Sequence, residues 1–464
     1  MLFSSPTFFL FFAIYFLLHV FTPLRYRTWL IIAGSTIFYA SWRIEYVIVP
    51  YVLMVAAFFG AAWMSQTQEV VHRRMRLALT MVLLFAPLLL FKYTGFIVRE
   101  ILAPLFGPMD MPPAIPLPLG ISFVTFTMTA YVVDIYRGAF TANTPFKTVL
   151  AYVLFFPHLI AGPILRPHEL IPQLEAPRPA RRIQTRAAIL IFTAGLVKKL
   201  VFADQIGSVV DRIYAGAHFN AADALLGIYG FSVQIYCDFS GYTDMAIGLA
   251  MLLGVRLPNN FLRPYGAVSL TDFWRRWHIT LSFWLRDYLY IPLGGNRGST
   301  LLVVRNIMIT MVLGGLWHGA SWTFMIWGAV HGIGISFLHL LRSAGKGLFR
   351  VRLPAWLGIF LTFNFVTAAW VFFRAPNFRA ATDVLSAPFT RLWPDAGTFI
   401  AHNYFFVGLI AVFLCLHKFD DHRYIKAASR YMRIELFWPM VICLWMLAIS
   451  ISQMSSAKFI YFDF

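Results

Sequence analysis

The sequence predicts an all-α integral membrane protein with many spans, and three observations carry that prediction. Hydrophobic residues make up 59% of the 464 and charged residues only 12%, where a soluble globular chain carries roughly 25% charged residues. Apolar runs approaching the length that crosses the hydrocarbon, about 20 residues, recur along the chain, among them residues 8–21, 47–63, 77–90 and 437–451. The basic residues stand in short clusters between apolar runs: Arg73, Arg74 and Arg76; Arg178, Arg181, Arg182 and Arg186; Lys198 and Lys199; Arg342, Lys346, Arg350 and Arg352.

The first run has no Lys or Arg before it and no small-x-small cleavage site after it, so it reads as a retained first helix and not as a secretory signal. Arg25 and Arg27 follow it, which by the positive-inside rule puts the N-terminus outside and the 24–28 loop in the cytoplasm. The net charge of +18 resides in the clusters, which suit cytoplasmic loops facing anionic headgroups. Docking of an acidic partner or a nucleotide-bearing donor is the other use of such charge, and neither calls for nucleic acid. Cys237, Cys415 and Cys443 are odd in number, widely spaced and without a CxxC pair, which speaks against a disulfide framework or a zinc cluster. Aromatic richness, 17% of the chain, is what lipid-facing surface and interfacial belts require and by itself indicates no ligand.

About 13 apolar segments can be distinguished, several of only about 12 to 16 residues. Segments too short to span predict re-entrant or broken helices. Irregular backbone at membrane depth must be buried in protein or line a wet cavity, so a compact bundle around a central cavity follows. The longest polar stretches, 163–186, 256–276 and 375–398, are too short for a soluble domain, and no internal repeat suggests the inverted halves of a transporter. The chain reads as one membrane domain over 1–464, with a motif-rich core at about 116–331.

Within that core ionisable residues interrupt apolar sequence, and an intramembrane ionisable group is costly enough to mark a cavity or a partner. Pro116-Leu117-Pro118-Leu119-Gly120-Ile121-Ser122-Phe123 leads to Asp134, Tyr136 and Arg137, and Phe156-Pro157-His158-Leu159-Ile160-Ala161-Gly162-Pro163 has a helix-breaking pattern. In the block from Gln234 to Asp244, Asp238 and Asp244 sit too far apart for neighbouring positions on a helical face, and Ser240 and Tyr242 add hydroxyls. Capping and polar packing at a helix break is the reading favoured over acid-base chemistry. Thr271 and Asp272 suit a helix start, followed by Trp274, Arg275, Arg276, Trp277 and His278. Interfacial anchoring of Arg275 and Arg276 is favoured over contact with donor phosphates.

The last block holds Asn306, then Gly314-Gly315-Leu316-Trp317-His318-Gly319-Ala320-Ser321-Trp322, then His331. Small residues leave room beside the His318 imidazole, and Trp317 and Trp322 can wall a pocket. A histidine there is either a hydrogen-bonded packing residue or a proton acceptor. A neutral imidazole beside an alcohol can take its proton as the alcohol attacks a thioester carbonyl. His278 could orient the acceptor or stabilise charge. A metal site of His278, His318 and His331 lacks the close spacing of HExxH and is the lesser reading.

Taken together and in order, these blocks resemble the membrane-bound O-acyltransferase superfamily, in its bacterial branch of alginate O-acetylation and teichoic acid D-alanyl transfer proteins. The resemblance also covers Met1-Leu2-Phe3-Ser4-Ser5, Trp370-Val371-Phe372-Phe373-Arg374-Ala375 and Phe459-Ile460-Tyr461-Phe462. It implies a helical ring, thin at its centre, whose tunnel admits an acyl donor from the cytoplasm and an acceptor from outside. The family's active-site histidine falls on His318 and its second polar position on His278. Trp317, Trp322, Asp238, Ser240, Tyr242, Arg275, Arg276 and Asn306 are candidate lining residues. Thr127 stands where close relatives are expected to have Gln.

The resemblance further implies acetyl transfer for an exported polysaccharide in a bacterial inner membrane. Acetyl-CoA or an acyl-carrier thioester is the donor substrate, no cofactor is bound, and a periplasmic or extracellular acetyltransferase is the partner. D-alanyl or other acyl transfer from a carrier protein, and transport of an acylated intermediate, are the alternatives.

Overall fold

The structure is a computed structural model that describes residues 1–107, 116–176, 184–216, 218–344 and 353–452. The clustered Arg178, Arg181, Arg182, Lys346, Arg350 and Arg352, and the closing 459–462 motif, lie outside the described residues. Among those residues the regular structure is helical throughout, with no strand. Among the described residues seven helices are long and apolar enough to cross a membrane, and two shorter apolar helices accompany them. The protein is therefore an all-α, multi-span membrane protein.

The chain forms two compact units, and it passes from one to the other after Ile189, Met245 and Pro258. The first unit contains α1 (Pro6–Phe21), α2 (Leu24–Ala40), α3 (Ile48–Ser65) and α4 (Val70–Leu88). The run anticipated at 77–90 starts earlier and continues through Pro87 and two wide π turns, with α5 (Thr94–Ile97) and α6 (Ala103–Phe106) between and after them. The span totals 37 residues, Val70–Phe106, because π turns absorb the irregularity that would otherwise end the helix. Next come α7 (Ile121–Tyr136), α8 (Phe146–Leu154), α9 (Phe156–Leu159) and α10 (Pro167–Glu175).

Two of the motif blocks meet inside this unit. Gly120 starts α7 in the left-handed region (φ 70°), and a Cβ there would lie 2.7 Å from the Leu159 carbonyl oxygen. Glycine thus allows the turn and the close approach together. The Phe156–Pro163 block does break the helix, since α8 stops at Leu154 and α9 lasts one turn. His158 fastens this corner by donating from Nε2 to the Tyr152 carbonyl at 2.8 Å, and Tyr152 Oη donates to Leu165 O at 2.8 Å. Thr127 is buried in α7.

The second unit is built from most of α11 (Thr185–Val197) and α13 (Ala221–Leu252) together with α12 (Asp204–Tyr214), α14 (Leu270–Trp274), α15 (Ile279–Leu285), α16 (Thr300–His318), α17 (Trp322–Ala344), α18 (Ala355–Arg374), α19 (Phe378–Thr390), α20 (Ala396–Leu416), α21 (His422–Tyr431) and α22 (Ile434–Ser452). Two expectations are corrected here. No break occurs at the Asp238–Asp244 block, where α13 runs unbroken for 32 residues. Lys198 and Lys199 are not loop charges facing headgroups but lie in a π turn between α11 and α12, Lys199 buried and Lys198 nearly so, both paired with carboxylates.

One close crossing explains both. A Cβ on Gly195 would lie 2.5 Å from Gly241 O, and one on Gly241 would lie 2.7 Å from Gly195 O. The backbones therefore touch, and Asp238 and Asp244, flanking Gly241 along α13, meet the lysines one turn beyond Gly195. Lys199 Nζ lies 2.7 Å from both Asp238 Oδ1 and Asp204 Oδ1, and Lys198 Nζ is 2.6 Å from Asp244 Oδ2 and 2.9 Å from Asp420 Oδ2. Buried carboxylates answered by buried ammonium groups need no helix end to satisfy them.

Candidate functional site

Every residue of the site belongs to the second unit. α16 is capped by Ser299, whose hydroxyl accepts from Leu302 N, and ends on His318. It packs along α17 with almost no space between the backbones. A Cβ on Gly315 would lie 2.2 Å from Phe324 O, and one on Gly328 would lie 2.3 Å from Met311 O. Small residues that let helices touch are the usual means of helix association where lipid supplies no hydrophobic drive. The α16 to α17 turn is equally tight, since a Cβ on Gly319 would meet the Phe324 ring at 2.1 Å. His318 is consequently fixed at a helix end and nearly wholly buried.

Its imidazole is walled by aromatic rings, with centroids at 4.9 Å for Trp317, 5.2 Å for Trp327 and 5.2 Å for Phe373. The Trp327 ring stands at 89° to it. Trp317 is also the link to His278, its ring lying 6.2 Å from that imidazole. The sequence motif thus brings the two histidines to one aromatic side chain.

His278 joins α14 to α15 and takes a left-handed backbone conformation (φ 40°, ψ 56°). That is uncommon for a residue with a Cβ and is sustained only where surrounding structure enforces it. The enforcement is visible: Ile279 N donates to Asn260 O at 2.9 Å, Leu262 N donates to Arg276 O at 2.9 Å, and the Phe239 ring lies 4.7 Å from the imidazole. His278 is fully buried and lies outside the seven spans; burial pushes its imidazole down to about 3.

The remaining candidate residues divide. Trp317 is buried and touches both histidine rings, whereas Trp322 starts α17 and is 49% exposed; Trp327 supplies the wall beside His318 instead. Asp238 is engaged with Lys199, and Ser240 and Tyr242 are buried on α13. Arg275 is exposed and Arg276 pairs with Asp272 at 2.9 Å. The helix start expected at Thr271 and Asp272 falls on Ser269, whose hydroxyl accepts from Asp272 N at 3.2 Å. Asn306 braces the 294–295 turn, donating to Gly295 O at 3.1 Å and accepting from Arg305 at 2.9 Å. No group of three or more His, Cys, Asp or Glu is placed to hold a metal ion among the described residues, His278, His318 and His331 included.

Sequence reasoning missed how much of the wall comes from outside the histidine motif. Trp370 stacks on Trp327 at 5.4 Å and packs on Trp277 at 4.9 Å, and His331 accepts from Trp274 Nε1 at 3.3 Å. The available signal was the Trp370–Ala375 motif, which delivers Trp370 and Phe373 to this cluster.

Comparison with known proteins adds a family to this geometry. Residues 137–375 match the family model described as MBOAT, membrane-bound O-acyltransferase family. A "probable alginate O-acetylase AlgI" of Azotobacter vinelandii is 41% identical over 402 residues, covering 84% of this chain and 78% of that protein. A "peptidoglycan O-acetyltransferase" of Helicobacter pylori is 38% identical over 419 residues, covering 83% and 79%. A "teichoic acid D-alanyltransferase" of Bacillus subtilis is 28% identical over 280 residues, covering 56% and 69%.

Proposed function

The chain belongs to the membrane-bound O-acyltransferase family, and on that premise we propose that it carries an acetyl group from a cytoplasmic thioester donor toward an exported polysaccharide. The enzyme class is that of the family, an O-acyltransferase. The observation that supports the site assignment is the placement of His318 at the end of α16, buried among Trp317, Trp327 and Phe373, with the His278 imidazole 6.2 Å from the same Trp317 ring. A polysaccharide acceptor is supported by relatives named for alginate and peptidoglycan acetylation, which match more of this chain than the D-alanyltransferases do. Both compact units act as one domain, since the chain passes between them repeatedly.

In this reading His318 takes the proton from an acceptor hydroxyl as its oxygen attacks the thioester carbonyl. A C–O bond forms, the tetrahedral intermediate collapses, and the C–S bond breaks. The imidazolium returns its proton to the leaving sulfur, so an ester and a thiol are released and the imidazole is neutral again. His278 orients the attacking hydroxyl. Acetyl-CoA is the donor, the membrane is the bacterial inner membrane, and the N-terminus lies outside, following Arg25 and Arg27 after the first helix. A periplasmic or extracellular acetyltransferase completes delivery to the sugar.

The test compares the parent with His318→Ala in membranes. The variant inserts at normal level, while acetyl ester on the exported polysaccharide and consumption of labelled acetyl-CoA by the purified protein fall on the order of 10²–10⁴-fold. Full acetylation by His318→Ala would sink the proposal. Turnover of a D-alanyl carrier thioester but not of acetyl-CoA would replace the donor.

A further inference from the structure

We infer that Asn260 is a positioning residue that fixes the tautomer of His278, placing the proton on Nδ1 and the lone pair on Nε2. Asn260 is buried, and its Oδ1 lies 3.1 Å from Thr280 N, 2.9 Å from Thr280 Oγ1 and 3.3 Å from His278 Nδ1. The Thr280 backbone N–H can only donate, so the group facing it is the amide oxygen and not the NH₂. An oxygen can only accept. The His278 nitrogen facing that same oxygen therefore carries a hydrogen, and in a neutral imidazole the other nitrogen is then the acceptor.

The surroundings keep the ring neutral. The rings packed on it belong to Phe239 of α13, Phe261 and Trp317 of α16, none of them charged. The ionisable groups beside those contacts are Asp238, engaged with Lys199, and His318; on its own segment Arg276 pairs with Asp272. With the backbone bonds from Ile279 N to Asn260 O and from Leu262 N to Arg276 O, the Asn260 segment holds both the ring and the left-handed turn that aims it. Resting on the acyl-transfer reading, the consequence is that Nε2 accepts a hydrogen bond from a second, neighbouring hydroxyl of the sugar acceptor, leaving the proton of the attacking hydroxyl to His318. The acceptor is thereby oriented with its attacking oxygen toward the thioester.

Asn260→Asp and Asn260→Leu in the full-length protein, assayed with acetyl-CoA across pH, test this. The aspartate keeps the three accepting contacts but adds a charge that favours imidazolium. The acid-side fall in kcat therefore moves to higher pH by a unit or more. The leucine removes the acceptor, and kcat falls on the order of 10–100-fold with KM for acetyl-CoA unchanged. A parental pH profile for Asn260→Asp overturns the inference, including where Asn260→Leu fails to accumulate, because Asn260 is then a structural brace alone. Loss of activity in His318→Ala alongside that parental profile leaves the acyl-transfer reading standing, whereas full activity in His318→Ala removes that reading itself.

Discussion

Lys199 and Asp238 face each other at 2.7 Å with side chains 4% and 2% exposed, and a charge so placed depends on its partner more than any surface pair does. Removing one partner of a buried pair costs roughly 3–5 kcal/mol, since the remaining charge stays desolvated. Lys199→Met is expected to lower thermal stability in detergent by that order, because Asp204 and Asp238 both lose its ammonium. Arg275→Ala, at an exposed position, should stay within about 0.5 kcal/mol. Equal melting temperatures for the two variants would refute the burial argument. The same residues show where sequence is silent. His318 is legible because small residues and tryptophans surround it in the chain itself. Lys199 looks like any loop lysine because Asp238, which meets it from α13, stands far along the sequence, and Asn260 is ordinary until Thr280 and His278 are seen around its oxygen.

At the scale of elements, composition indicated spans correctly, since helicity in lipid follows from backbone satisfaction and apolar length. It misjudged continuity. The polar block in α13 suggested interruption, yet it stays helical with its carboxylates held in salt bridges, and the run read as 77–90 extends over Val70–Phe106 through π turns past Pro87. Glycine spacing is informative once paired with a neighbour. Gly315 lets α16 touch α17, and that contact sets where His318 ends. Gly315→Val would drive a branched side chain against the Phe324 carbonyl, where even a Cβ lies at 2.2 Å. Both stability and acetyl transfer should fall, with Gly315→Ala intermediate. Gly408→Ala in α20, with nothing within 4 Å of its Cβ, should be neutral or gain up to about 1 kcal/mol from helix propensity. Melting curves and turnover of the three variants check the order, which an undiminished Gly315→Val would reverse.

For the whole molecule, the two units share a dependence on neutral buried histidines that lie outside the seven spans, His158 in the first and His278 in the second. Burial lowers the His158 imidazole to about 4 and the His278 imidazole to about 3, from 6.5 in each case. Between those values and 6.5 the unfolded chain binds more protons than the folded one. The stability these groups permit is thus complete above about pH 6.5 and is lost as pH falls toward 4 and 3. Each group adds a slope of up to about 1.4 kcal/mol per pH unit in that window. The detergent-solubilised protein should therefore melt at a nearly constant temperature from pH 7 to 8 and at progressively lower temperature below about pH 6.5. His158→Gln sharpens the test. It loses the imidazole bond to Tyr152 O and should melt lower at neutral pH, yet its melting temperature should decline less steeply with acid. Curves for parent and variant that run parallel from pH 7 to pH 5 would show that protonation at this corner does not drive the acid response.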